Sequence, residues 1–148
     1  MESPTAQPVV ILMNEFSFAP EAPPPPPGYP QQTIEPLPTG RSALVTLRND
    51  GHIVHEWRVG RTLLPGGGYE DDLLAMMEPE VLSGTGYRLL EPEEAGAGGP
   101  GGFSIEVAPG GTVTLRLAVP ADAVGSWQMG CFVPGHYQAG MKHVLRVE

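Results

Sequence analysis

The stretch CFVPGHYQAGM near the end of the chain places Cys131, His136 and Met141 at equal intervals, with four residues in each gap. One thiol, one imidazole and one thioether lie on a short loop that contains a Pro-Gly step. They can converge on one point only if a rigid scaffold holds both ends of the loop. A second imidazole is available from a distant stretch, His55 in HEW. The rest of the chain therefore reads as a frame that must bring residues 55 and 131–141 to one pole.

Alternation of apolar and polar residues describes such a frame. In TVTLRLAV at 112–119, Val113, Leu115, Leu117 and Val119 point one way, the period of a half-buried strand. SALVTLRN at 42–49 repeats the pattern through Ala43, Val45 and Leu47, KHVLRVE closes the chain in the same manner, and PVVILMNEFSF at 8–18 reads as a further strand ending in Phe16 and Phe18. With 20 Gly and 18 Pro punctuating short strands, the expected fold is an all-β sandwich or barrel. Its 148 residues suit one domain.

Two segments depart from this pattern. Residues 21–32 are Pro-rich and are expected to run as an extended, stiff surface connection. Residues 60–102 read as an insertion, a lid or flap. Within it GYEDDLLAMMEPEVL is suited to one or two helical turns ended by Pro79, and AGAGGPGG is flexible. Met76 and Met77 in that segment suggest a metal-carrier role, against the plainer reading of packing on a short amphipathic turn.

Strand parity checks the proposed convergence. If GSWQMGC at 125–131 is a strand, Trp127, Met129 and Cys131 share a face, and the two large apolar residues make it the inner one. His55, Trp57 and Val59 likewise share a face, with Glu56 and Arg58 on the other. Both donors then emerge at the same end of one interior. A thiolate, two imidazoles and a weak thioether form the donor set of a mononuclear blue-copper site, whose geometry suits both Cu(I) and Cu(II). A lone Cys is otherwise a bland core residue.

These residues resemble the cupredoxins, the family of azurin, plastocyanin, auracyanin and rusticyanin. NDGHIVHEW at 49–57 is similar to the family's Asn, Gly and ligand-His segment, and CFVPGHYQAGM to its ligand loop; the four-residue gaps on both sides of His136 are most similar to rusticyanin. EFSFAPE and GMKHVLRVE also fit its first and last strands. The resemblance covers roughly residues 8–20, 33–60 and 103–148. It implies a cupredoxin-like Greek-key β-sandwich or barrel, from which the long, Gly-rich, acidic insertion at 60–102, suited to a short helix, is a departure. It also implies one copper ion per chain, cycling between Cu(I) and Cu(II), with His55, Cys131, His136 and Met141 as ligands. The chain departs from the family at Glu56, where many small blue-copper proteins carry Asn or Ser. A carboxylate there is expected either to accept backbone N–H bonds from the cysteine loop or to be protonated in a poorly solvated setting.

The expected activity is one-electron transfer through the edge of His136, and not catalysis. Phe132, Val133, Pro134 and Tyr137 would form a small apolar docking patch around that edge. A net charge of −9 argues against nucleic acid. Between residues 65 and 100 eight acids (Glu70, Asp71, Asp72, Glu78, Glu80, Glu91, Glu93, Glu94) face one base, Arg88, which suits steering of a basic redox partner such as a c-type cytochrome or a copper oxidase. The rival function is a periplasmic copper carrier or storage protein. A detached domain of a copper enzyme would need further histidines, and only His52 and His143 remain; both are expected to be non-ligating. Cys131 as a catalytic nucleophile would leave Met141 unexplained. A monomer is expected. An extracytoplasmic or periplasmic location is what the resemblance alone implies, these residues showing neither a signal peptide nor a membrane anchor from which to read it.

Overall fold

The computed structural model describes residues 8–21, 33–91 and 102–148. Most of the Pro-rich stretch at 21–32 and the Gly-rich run at 92–101 lie outside them. The described chain forms nine strands and one helical turn: β1 (Val9–Asn14), β2 (Ser17–Pro20), β3 (Ser42–Asn49), β4 (His55–Leu63), β5 (Tyr69–Asp72), α1 (Leu73–Met76), β6 (Glu80–Leu90), β7 (Ser104–Ala118), β8 (Gly125–Gly130) and β9 (Lys142–Val147). The strands join in the order β2-β1-β3-β7-β4-β8-β9, with β5 added to β4 and β6 to β7. Only β1 and β3 pair in parallel among the named strands. A bridge from Leu37 to Val147 nearly closes the barrel. The architecture is the all-β one expected, with crossovers between non-consecutive strands.

Alternation selects the inner face as the sequence suggests. Ala43, Val45 and Leu47 of β3, and Val113, Leu115 and Leu117 of β7, are buried on one side of their paired register. They meet Trp57, Val59, Ile105, Val107, Met129 and Leu145 in one core. Each large aliphatic side chain withdrawn from water there contributes about 1.5–3 kcal/mol.

The sequence departs from the structure in two places. PVVILMNEFSF is a hairpin rather than one strand. Asn14 pairs with Ser17, and Glu15 and Phe16 form the turn, Phe16 with a positive φ of 62°. β7 also extends well N-terminal to the expected 112–119 and presents Ile105–Val107 to β4.

Of the stretch read as an insertion, residues 60–91 comprise the end of β4, then β5, α1 and β6. β6 pairs with β7 along most of its length. The helical turn is capped by Asp72, whose side chain accepts the Ala75 N–H and also the Phe103 N–H, so this acid holds structure in place. Met77 is fully buried, while Met76 is half exposed; the pair does not present a common surface.

Candidate metal centre

β4 and β8 are antiparallel neighbours, with Val59 opposite Met129. β4 therefore starts, and β8 ends, at the same pole of the barrel. His55 opens β4 and Cys131 follows β8 directly. Parity turns both inward, beneath which Trp57 and Met129 fill the core.

The chain after Cys131 turns back at once. His136 N–H donates to the Val133 carbonyl (2.9 Å), closing a turn with Pro134 and Gly135 at its centre, and Gly135 takes a φ of 85°. This is the Pro-Gly arrangement of a type II turn. It brings Nδ1 of His136 to 3.3 Å from Sγ of Cys131. The loop is then sealed at its far end: Met141 N–H donates to the His136 carbonyl (3.1 Å), and Cys131 N–H donates to the Met141 carbonyl (3.2 Å). Met141 is fully buried.

His55, Cys131 and His136 place one donor atom each within 4.8 Å of one another, all three residues buried. Nδ1 of His55 is buried and has no hydrogen-bond partner among the described residues. An orphaned imidazole nitrogen beside a buried sulfur and a second imidazole is costly unless an ion takes the lone pair. The donor chemistry, one thiol and two imidazoles with a thioether residue at the loop's end, fits a soft or borderline transition metal.

The protonation states suit such a site. Burial lowers the pKa of His55, and burial together with the neighbouring His55 lowers that of His136, so both imidazoles are neutral near pH 7. Burial pushes the Cys131 thiol up to about 11, against the N–H groups of Glu56 and Val133 that favour the thiolate. A bound cation would therefore displace a proton from sulfur.

Glu56 accepts a backbone N–H from the cysteine loop, the first of the two expected adjustments. Its N–H donates to Cys131 Sγ (3.3 Å), and its Oε1 accepts the N–H of Phe132 (3.2 Å), so it ties β4 to the cysteine loop on both sides. It is also buried, and desolvation raises its pKa despite the charge of Arg58 and bonds from Phe132 and Ser104. The side of β4 read as facing away from the core is thus buried as well. Glu106 lies directly opposite Glu56 and pairs with Arg88.

Asn49 fixes the approach to His55. Its amide donates to the carbonyls of Ile53 and Val107 (2.8 Å each), and its oxygen accepts the Gly51 N–H. His52 is exposed, and His143 lies on β9 with Nδ1 against the Val144 carbonyl; neither joins the cluster. Phe132 is half-buried, stacked on Tyr137 and edge-on to Tyr69.

Two residues at the site, Glu15 and Phe16, lie in a stretch read from the sequence only as the end of a strand. Glu15 contacts His55, and Phe16 packs edge-on against His136 with ring centroids 5.1 Å apart. In the structure Ile11 and Met13 are inward at odd positions and Phe18 at an even one, the parity change a two-residue turn imposes, but VVILM is apolar at every position and does not show it in the sequence.

Similarities to known proteins agree with this geometry. No family model matches the chain. It is 25% identical over 151 residues to the copper-resistant cuproprotein CopI of Pseudomonas aeruginosa, covering 95% of this chain and 75% of CopI. Among solved structures, auracyanin from Roseiflexus castenholzii superposes with a TM-score of 0.53 at 21% identity, over 97% of this chain and 99% of that one. Auracyanin B gives 0.55 at 19% identity, over 100% and 93%. The multicopper oxidase McoA of Aquifex aeolicus gives 0.59 at 15% identity, but this chain spans only 30% of its length. The chain has the cupredoxin fold.

Proposed function

We propose that the chain is a mononuclear blue-copper electron carrier, with His55, Cys131 and His136 as the strong ligands and Met141 as the weak axial one. The observation that carries this reading is the buried His-Cys-His cluster with its unpartnered His55 Nδ1. Bound copper would supply a one-electron Cu(II)/Cu(I) couple. The protein's part is to keep the donors fixed. The sealed 131–141 loop and the two links from Glu56 leave little to move when charge changes.

Electrons would pass through the edge of His136, which retains slight exposure, with the partly exposed Phe16 packed edge-on against it and Pro134 exposed two residues before it. Apolar residues there suit brief docking of a redox partner such as a c-type cytochrome or a copper oxidase, with acids of the 60–102 segment steering a basic surface. An extracytoplasmic setting is part of this proposal and rests on the family resemblance alone.

That similarity also favours a second reading, in which the protein carries or stores copper. Voltammetry combined with a chelator challenge separates the two. An electron carrier gives a reversible one-electron wave and keeps Cu(I) against a moderate chelator. A carrier surrenders Cu(I) quickly and shows no stable oxidised form.

A further inference from the structure

We infer that Glu15, from the β1–β2 turn, is a positioning residue of the metal centre: its carboxylate holds Nε2–H of His55 and so presents Nδ1 to the ion. The inference rests on the metal-binding reading above, but its geometry stands by itself. Glu15 Oε1 lies 3.2 Å from His55 Nε2 and accepts the His52 N–H at 2.6 Å, while Oε2 faces His52 Nδ1 at 3.3 Å. An ionised carboxylate only accepts. The proton of His55 must then sit on Nε2, and the lone pair on Nδ1, the buried atom without a partner among the described residues.

The surroundings are cleared for this contact. A Cβ at position 51 would land on the Glu15 carboxylate and 3.0 Å from His55 Nε2, so Gly51 leaves room that any other residue would fill. The turn is also held in a costly shape. Phe16 adopts a left-handed φ of 62°, a conformation unfavourable for a non-glycine residue, and places its ring against His136. One turn thus reaches both imidazoles. A carboxylate bonded to a ligand histidine fixes its tautomer and orientation and raises its basicity. It also sets one negative charge a single ring away from the ion, which favours Cu(II).

The test reads the His55 tautomer in the metal-free protein by ¹⁵N NMR, and Cu(II) affinity and reduction potential in the loaded protein. The wild type should show the Nε2–H tautomer. Glu15→Ala should mix the tautomers and weaken Cu(II) binding ~10–100-fold. Gly51→Ala, which displaces the carboxylate sterically, should do the same. Glu15→Gln keeps an acceptor oxygen, so it should rescue tautomer and affinity while the potential rises from loss of charge. A wild-type Nδ1–H tautomer, or a tautomer unchanged in Glu15→Ala even with weaker binding, would overturn the assignment. If the wild type failed to bind copper, the proposed function would fall while the tautomer still decided the role of Glu15.

Discussion

The loop at 131–141, which supplies His136, and the turn at 14–17, which touches both His55 and His136, meet at the same site, yet they are written into the sequence differently. The loop carries its chemistry in local spacing: three donor residues, a Pro-Gly step and backbone bonds that begin and end within eleven residues. The turn carries no strong donor of its own to the ion. Its two residues matter because β1 lies beside β3, which delivers Asn49 and the approach to His55 to the same pole. Chemistry at a site can be read from spacing, whereas its support is set by strand pairing between residues about forty positions apart.

If that division is right, breaking the loop should remove the centre, and loosening its supports should only retune it. The largest effect belongs to Cys131→Ser. Loss of the thiolate should abolish the visible thiolate-to-copper band and weaken copper binding by more than the ~100-fold that outer partners command, as followed by absorption titration. Met141→Leu should retain colour but raise the potential, because a weak donor that stabilises Cu(II) is gone, while Met141→Gln should lower it. A colourless, metal-free Met141→Leu would remove Met141 from the axial position.

Glu56 tests the link between β4 and the loop. Burial raises its pKa above 4.5. Its contribution to stability is therefore fully present below that value and is lost as pH rises through the folded-state pKa. Glu56→Gln, which keeps an acceptor for Phe132 N–H, should stabilise the metal-free protein by about 1 kcal/mol at pH 7 and leave it unchanged near pH 4, as measured by thermal melts at the two pH values. The smallest effect is at the turn itself. Phe16→Ala loses the ring contact and keeps the strained φ, whereas Phe16→Gly relieves the strain, so the Gly variant should be the more stable by about 1 kcal/mol in chemical denaturation.

Much of this arrangement was legible beforehand. Parity alone placed Val113, Leu115 and Leu117 inward and turned Cys131 towards Trp127 and Met129, because a strand's period leaves no third option. The loop's Pro-Gly turn could be read because both residues are fixed by backbone sterics. Glu15 could not, since nothing in EFSF distinguishes a surface acid from one that a hairpin delivers to a histidine. The buried far face of β4 was equally hidden: Glu56 and Arg58 look solvent-facing by alternation, yet the chain beyond Cys131 lies over them, with the Phe132 N–H on Glu56 and the Phe132 ring beside Arg58. Asp72, counted among docking acids, is instead consumed by the helix cap and Phe103.

The most direct test of a thiolate-centred metal site built from two distant stretches is an EPR and visible spectrum of the copper-loaded protein. The expected result is one copper per chain, an intense thiolate-to-copper charge-transfer band and the narrow copper hyperfine splitting of a covalent Cu–thiolate bond. A wide hyperfine splitting without the band would show copper held away from Cys131 and would contradict it.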